Sequence, residues 1–131
     1  MTIREATPND FEGIVQCVAS TAYYNPVEPR SMGGRWLVAY IDGELAGCVW
    51  LMAEAPNAYI DFLAVSPKHQ NGLGVSLMGA VQHWLVEHGI KYARSAIRHS
   101  NMRALRLALA FGSKLDSGYA MLYWQGVPDG N

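Results

Sequence analysis

The stretch "VSPKHQNGLGVSLM", residues 65–78, sets two glycines around a leucine, with an apolar run behind them at helical spacing. A strand ending at Val65, a glycine turn and a helix opening near Gly74 make a natural anion site. The first N–H groups of a helix have no intrahelical acceptor, and the macrodipole puts partial positive charge at that end. Glycine at 72 and 74 removes the Cβ atoms that would keep a pyrophosphate at a distance. Taken alone, Gly-x-Gly equally describes a turn that only joins a strand to a helix. Two stronger phosphate motifs are absent: position 77 is leucine, so there is no GxGxxG, and no GK[ST] follows.

Working outward, "AYIDFLAV" before the turn is near-continuously apolar, as a strand buried on both faces would be. Behind the turn, Leu77, Met78, Val81, Trp84 and Leu85 form one helical stripe, and Gly89 stands where a left-handed cap ends the helix. Upstream, "RWLVAYIDGELAGCVWLMAE" holds two strand-like runs around Asp42-Gly43, a dipeptide suited to a tight hairpin. "TIREA" alternates, and "TPND" reads as a helix start, with Thr7 as cap and Asp10 at the positive helix end. The helix that follows carries Phe11, Ile14, Val15 and Val18 on one face. Residues 23–34 hold two prolines and two glycines with no helical period and read as a loop. Downstream come a strand in "KYARSAIRH", a short helix in "NMRALRLALAFG" ended by Gly112, and a last strand in "GYAMLYWQ". The tail "GVPDGN" reads as frayed. The order predicts a single α/β domain over residues 1–131, a mixed sheet flanked by helices.

Composition narrows the function. The chain has 131 residues, half of them hydrophobic and 16% charged, so it folds around a core. A formal net charge of −1 offers no global basic field for nucleic acid or a membrane surface. No apolar run approaches the roughly 20 residues of a membrane span. The opening "MTIREATPND" is too charged for a signal peptide, so the expected location is the cytoplasm. Cys17 and Cys48 read as buried thiols, without CxxC spacing. His69, His83, His88 and His99 have no ligand spacing, and no metal is expected.

The succession of "AYIDFLAVSP", turn, amphipathic helix, strand and "NMRALRLALAFG" resembles the GNAT superfamily of acyl-CoA N-acyltransferases. Val65, Pro67, Gln70, Gly72 and Gly74 match its V-x-P-x-x-[RQ]-x-x-G-x-[GA] motif, with a turn one residue short. Asn101, Ala104, Leu107 and Gly112 match its later N-x-x-A-x-x-L-Y-x-x-x-G-F pattern. Two further departures are Ala108, where the family commonly has a tyrosine general acid, and the 23–34 loop in place of a second helix. The resemblance implies a mostly antiparallel GNAT-like fold with a shortened second-helix region. It implies acetyl-CoA as cosubstrate, held by Leu63, Ala64, Val65, Gln70, Asn71, Gly72, Leu73, Gly74, Val75 and Asn101. The implied reaction is direct acetyl transfer to a primary amine of a small molecule or peptide.

Such chemistry needs a base to deprotonate the amine and a preorganised donor for the oxyanion. Asp61 is the candidate base. It is a lone carboxylate in an apolar strand, and alternation places it on one face with Tyr59, Leu63 and Val65. The alternative is a structural aspartate bonded to a neighbouring strand or to Arg94 or Arg98. For the acid, Tyr123 and Tyr119 in the last strand and His99 at a strand end are weak substitutes. Arg103 and Arg106 suit CoA phosphates or a solvated face, and the loop with Tyr23, Tyr24, Glu28 and Arg30 suits an acceptor pocket. A homodimer through the aromatic residues of the last strand is a further expectation. Ala108 and the short turn also keep open a non-catalytic acyl-CoA-binding or protein-interaction module on the same fold.

Overall fold

The computed structural model describes residues 1–70, 72–97, 101–112, 114–115 and 121–125. Seven strands form one sheet: β1 (Thr2–Glu5), β2 (Arg35–Ile41), β3 (Glu44–Glu54), β4 (Asn57–Val65), β5 (Tyr92–Ala96), β6 (Lys114–Leu115) and β7 (Met121–Gln125). Their order across the sheet is β1-β2-β3-β4-β5-β7-β6. Only β4 and β5 run parallel among these pairs, joined by the long crossover helix. The helices are α1 (Phe11–Ala19), α2 (Leu73–Glu87) and α3 (Met102–Ala110). Two features escaped the sequence reading: β6 itself, and the insertion of β7 between β5 and β6.

The β2–β3 hairpin turns at Asp42 and Gly43, both in the left-handed region with φ of 50° and 77°. A pair of positive φ angles matches the right-handed twist of the flanking strands, which is why Asp-Gly serves here. Both faces of the central strands are covered. Trp36, Val38 and Cys48 pack with Ile14, Cys17 and Val18 of α1, while Leu37, Ala39, Val49 and Leu51 pack with Leu77, Val81 and Leu85 of α2. Each of the buried Val, Leu and Ile side chains contributes about 1.5–3 kcal/mol by leaving water. On α1 one expectation fails: Val15 is exposed, and Cys17 takes its place on the buried face. The loop expected over residues 23–34 begins earlier, at residue 20 after the end of α1, and holds one 3₁₀ turn at Pro29–Ser31.

Asp10 does more than complement a helix dipole. Its carboxylate receives both Arg4 guanidinium nitrogens at 2.8 and 3.0 Å, the Thr7 N–H at 2.8 Å and the Tyr40 hydroxyl at 2.5 Å. The group is buried, and the Arg4 hydrogen bonds hold its pKa well below the usual carboxylate range, aided by Tyr40 and Thr7. It thereby ties β1 and β2 to the start of α1. Asp10→Asn should lower stability by about 1–2 kcal/mol through donors left without a charged acceptor. A folded pKa below the unfolded one contributes stability fully above about pH 4 and loses it as pH falls through the folded value. The difference between wild type and variant in urea midpoint should therefore close in acid. A gap that persists there would disprove the charged role.

Candidate functional site

The site begins with an irregularity in β4. Ala64 pairs with Cys48 and Asp61 with Trp50, so Phe62 and Leu63 together oppose the single residue Val49. Phe62 takes a left-handed φ of 53°, and its N–H donates to its neighbour Asp61 Oδ1 at 2.7 Å. A bulge of this kind bends the strand and sharpens its twist. The parallel pairing with β5 stops at Ile60–Ser95, although β4 continues to Val65 along β3. Among the described residues the two central strands pair no further, which leaves the later half of β4 without a β5 partner on that side.

The extra residue also changes which face each side chain takes. Ala58 and Ile60 belong to the core under α2, and beyond the bulge Leu63 and Val65 pack against that same core. Phe62 and Ala64 join the core of α1. Tyr59 and Asp61 stay together, the Tyr59 hydroxyl 3.3 Å from Asp61 Oδ2. The shared face expected for Tyr59, Asp61, Leu63 and Val65 is thus wrong. An uninterrupted alternation would have produced it, and one bulge residue reverses the parity.

Beside the open edge lies a cleft of about 650 Å³. Its walls bring together Leu63, Val65, Gln70, Gly72, Gly74, Val75 and Asn101 from the sequence prediction, with Tyr23 and Arg103. Ala64 and Leu73 are buried in the two cores at 1% and 3% exposure and do not line the cleft. Asn71, Arg98, His99, Tyr119 and the tail lie outside the described residues. The backbone of Tyr123 pairs with Arg94 in the sheet, and its side chain is outside the description too. Glu28 and Arg106 are exposed and do not line the cleft.

The shortened glycine turn closes in its own way. Gly72 adopts φ of 78°, and its N–H donates back to the Gln70 carbonyl at 2.7 Å. That amide is spent inside the turn. The helix then starts at Leu73, and Gly72 has no side chain to cap it. The N–H groups of Leu73, Gly74 and Val75 are therefore the ones without an intrahelical acceptor, at the positive end of α2. Gln70 braces the turn: its amide nitrogen donates to the Val65 carbonyl at 2.8 Å, and its amide oxygen accepts from the Arg103 guanidinium. This places a cation on the cleft wall beside the turn that leads into α2. Asn101, buried, accepts the Ala104 N–H at 3.3 Å and caps α3.

A smaller pocket of about 20 Å³, room for about one water, shares Leu63 and Ala104 with the large cleft. Asp61, Tyr24, Ser95 and Ala108 line it where the strands part. Burial raises the Asp61 pKa, with the Phe62 N–H and the Tyr59 hydroxyl opposing the rise. Asp61 thus has the partial burial expected of a base in this chain, and no hydrogen bond from Arg94, whose guanidinium lies over the Tyr59 ring. Ala108 is buried. The sequence places Tyr24 in a loop expected to line an acceptor pocket, and the structure puts it on this smaller pocket. Its ring packs on Phe62 at 5.4 Å and its hydroxyl donates to the Leu63 carbonyl at 3.1 Å. No local pattern marks it, because the contact spans 39 positions. Among the described residues no group of three or more His, Cys, Asp or Glu converges on one point, and no helix is long and apolar enough to cross a membrane.

Comparison with known proteins bears on this geometry. The profile of the acetyltransferase (GNAT) family matches residues 4–112. Mycothiol acetyltransferase of Acidimicrobium ferrooxidans is 33% identical over 96 residues, which cover 69% of this chain and 31% of that protein. The chain thus matches about a third of that relative's length. Among solved structures, Ard1 from Thermoplasma volcanium superposes with a TM-score of 0.81 at 19% identity, covering 97% of this chain and 98% of that one. N-acetylglutamate synthase from Neisseria gonorrhoeae, complexed with coenzyme A and L-arginine, gives 0.77 at 20% identity over 97% of this chain and 33% of that one.

Proposed function

The chain belongs to the acetyltransferase (GNAT) family, and on that premise we propose that it moves an acetyl group from acetyl-CoA directly to a primary amine of a small molecule or peptide. The observation that carries the reading is the parting of β4 from β5 beyond Ile60, with a half-buried carboxylate at the fork. Acetyl-CoA supplies an activated thioester. The N–H groups of Leu73, Gly74 and Val75 and the guanidinium of Arg103 suit its pyrophosphate. The open edge of β4 at Leu63–Val65 suits the arm that leads from the phosphates to the reacting carbon, and the small pocket suits the reacting end.

Asp61 takes a proton from the incoming ammonium group, directly or through water. Its raised pKa brings it closer to the amine's and makes the transfer less uphill. The freed nitrogen lone pair then attacks the thioester carbon. The Phe62 N–H is committed to Asp61, so it holds the base and leaves the oxyanion to other donors.

The test is thiol release from acetyl-CoA with a panel of polyamines, amino acids, aminoglycosides and peptides with free N-termini. Amine-dependent release, with the acetylated amine identified by mass spectrometry, supports the reading. Ala108, buried and without a polar atom at the fork, favours a second one. Tight acetyl-CoA binding with no release for any amine would select the non-catalytic acyl-CoA-binding module.

A further inference from the structure

The reaction leaves a negative sulfur in a pocket walled mostly by carbon, and the hydroxyls on that pocket are few. Among the described residues, Tyr59 is turned to Asp61 and is absent from the lining, which leaves Tyr24 and Ser95. Tyr24 enters from the loop between α1 and β2, on the opposite side from α3, and its ring is seated on Phe62 at 5.4 Å. Phe62 is itself fixed by the bulge, so the irregularity that opens the fork also supports the phenol. The hydroxyl stands 3.1 Å from the Leu63 carbonyl. Leu63 is one of two residues that line both the cleft and the pocket, and it stands between them. Across the pocket, α3 offers only Ala104 and Ala108, both buried and apolar.

Resting on the acetyl-transfer reading, we propose that Tyr24 donates its hydroxyl hydrogen bond to the thioester sulfur as charge develops there. As the bond between nitrogen and carbon forms and the bond between carbon and sulfur breaks, the electron pair stays on sulfur. Tyr24 keeps its proton throughout and exchanges its acceptor, the Leu63 carbonyl, for the sulfur. The thiolate is then neutralised by a proton from solvent, the nitrogen releases its second proton to solvent as the neutral amide forms, and Asp61 returns to solvent the proton it took from the ammonium group. The titratable groups that face the phenol are Asp61 on β4 and Cys48 on β3, with the Asn101 amide as a further polar neighbour. Burial first, then the charges of Asp61 and Cys48, push the Tyr24 pKa up. The phenol therefore keeps its proton, and stays a donor, at neutral pH. It lowers the energy of the leaving sulfur by hydrogen bonding and does not surrender its proton.

Free CoA gives a readout that needs no acceptor. The ultraviolet absorbance of the thiolate follows the titration of the bound thiol in wild type, Tyr24→Phe and Ser95→Ala. The phenylalanine variant keeps the ring on Phe62; circular dichroism checks that it folds, and Tyr92→Phe, at the far end of β5, controls for loss of a phenol. The thiol bound to wild type should titrate about one unit lower than the thiol bound to Tyr24→Phe, a roughly tenfold change in its ionisation constant. Where an acceptor is found, kcat should fall by roughly tenfold to a hundredfold in Tyr24→Phe, with KM for acetyl-CoA within about a factor of two. CoA bound with an identical thiol titration in both proteins overturns the assignment and leaves acetyl transfer standing. A shift seen only in Ser95→Ala moves the role to Ser95 and likewise overturns it. Failure of the folded wild type to bind CoA overturns both.

Discussion

Asp61→Asn is expected to lower kcat by about 10²–10⁴-fold, the range for loss of a general base, with acetyl-CoA affinity nearly unchanged. The two effects separate because Asp61 stands at the fork, whereas the turn, the start of α2 and Arg103 line the large cleft. The substitution also preserves local structure, since an asparagine oxygen can still accept the Phe62 N–H that Asp61 accepts at 2.7 Å. Stability should move the other way. Burial raises the folded pKa of Asp61, so its ionisation opposes folding. That cost is absent below the unfolded carboxylate value near about 3.9 and complete once pH exceeds the raised folded value. At neutral pH the asparagine variant should therefore be at least as stable as wild type. The rising limb of the wild-type pH–kcat profile should lie above the ordinary carboxylate range and disappear in the variant. Full turnover across pH would remove Asp61 from the mechanism.

Gly74→Asp should weaken acetyl-CoA binding by about 10- to 100-fold while the fold holds, the scale of lost charge-assisted hydrogen bonds. A Cβ at this position would meet the Leu107 Cδ2 atom at 3.2 Å, the end of a flexible side chain that can yield by a few tenths of an ångström. An acidic residue in the first turn complements the helix dipole by about 0.3–1 kcal/mol, so the melting temperature should hold or rise. The same charge that helps the helix repels a pyrophosphate at its end. Stability and binding thus respond with opposite signs, and a general loss of structure cannot imitate that. Calorimetry showing undiminished affinity in the folded variant would dismiss the start of α2 as the phosphate site.

Both predictions join what could be read along the chain to what could not. The glycine turn, the stripe of Leu77, Met78, Val81, Trp84 and Leu85, and the Asp42-Gly43 hairpin depend on short-range spacing, and each has its expected form. The cleft gathers most of the residues that the family resemblance named around the turn. The use of Gly72 differs from that picture: with one residue fewer, the turn closes by consuming the Gly72 amide, and the free donors shift to Leu73, Gly74 and Val75.

By itself the sequence determined the α/β class, the helix and hairpin limits to within a few residues, the anion-suited end of α2 and a lone acid in β4. Periods of 2 and 3.6 residues and positive-φ glycines are properties of a segment and its immediate neighbours. Tertiary structure decided the bulge at Phe62, the face on which Leu63 and Val65 lie, the parting of β4 from β5 and the arrival of Tyr24 beside Ala108. Each depends on contacts between residues far apart in the chain: Phe62 and Leu63 against Val49 of β3, Ile60 against Ser95 of β5, and Tyr24 on Phe62. No local pattern carries such contacts.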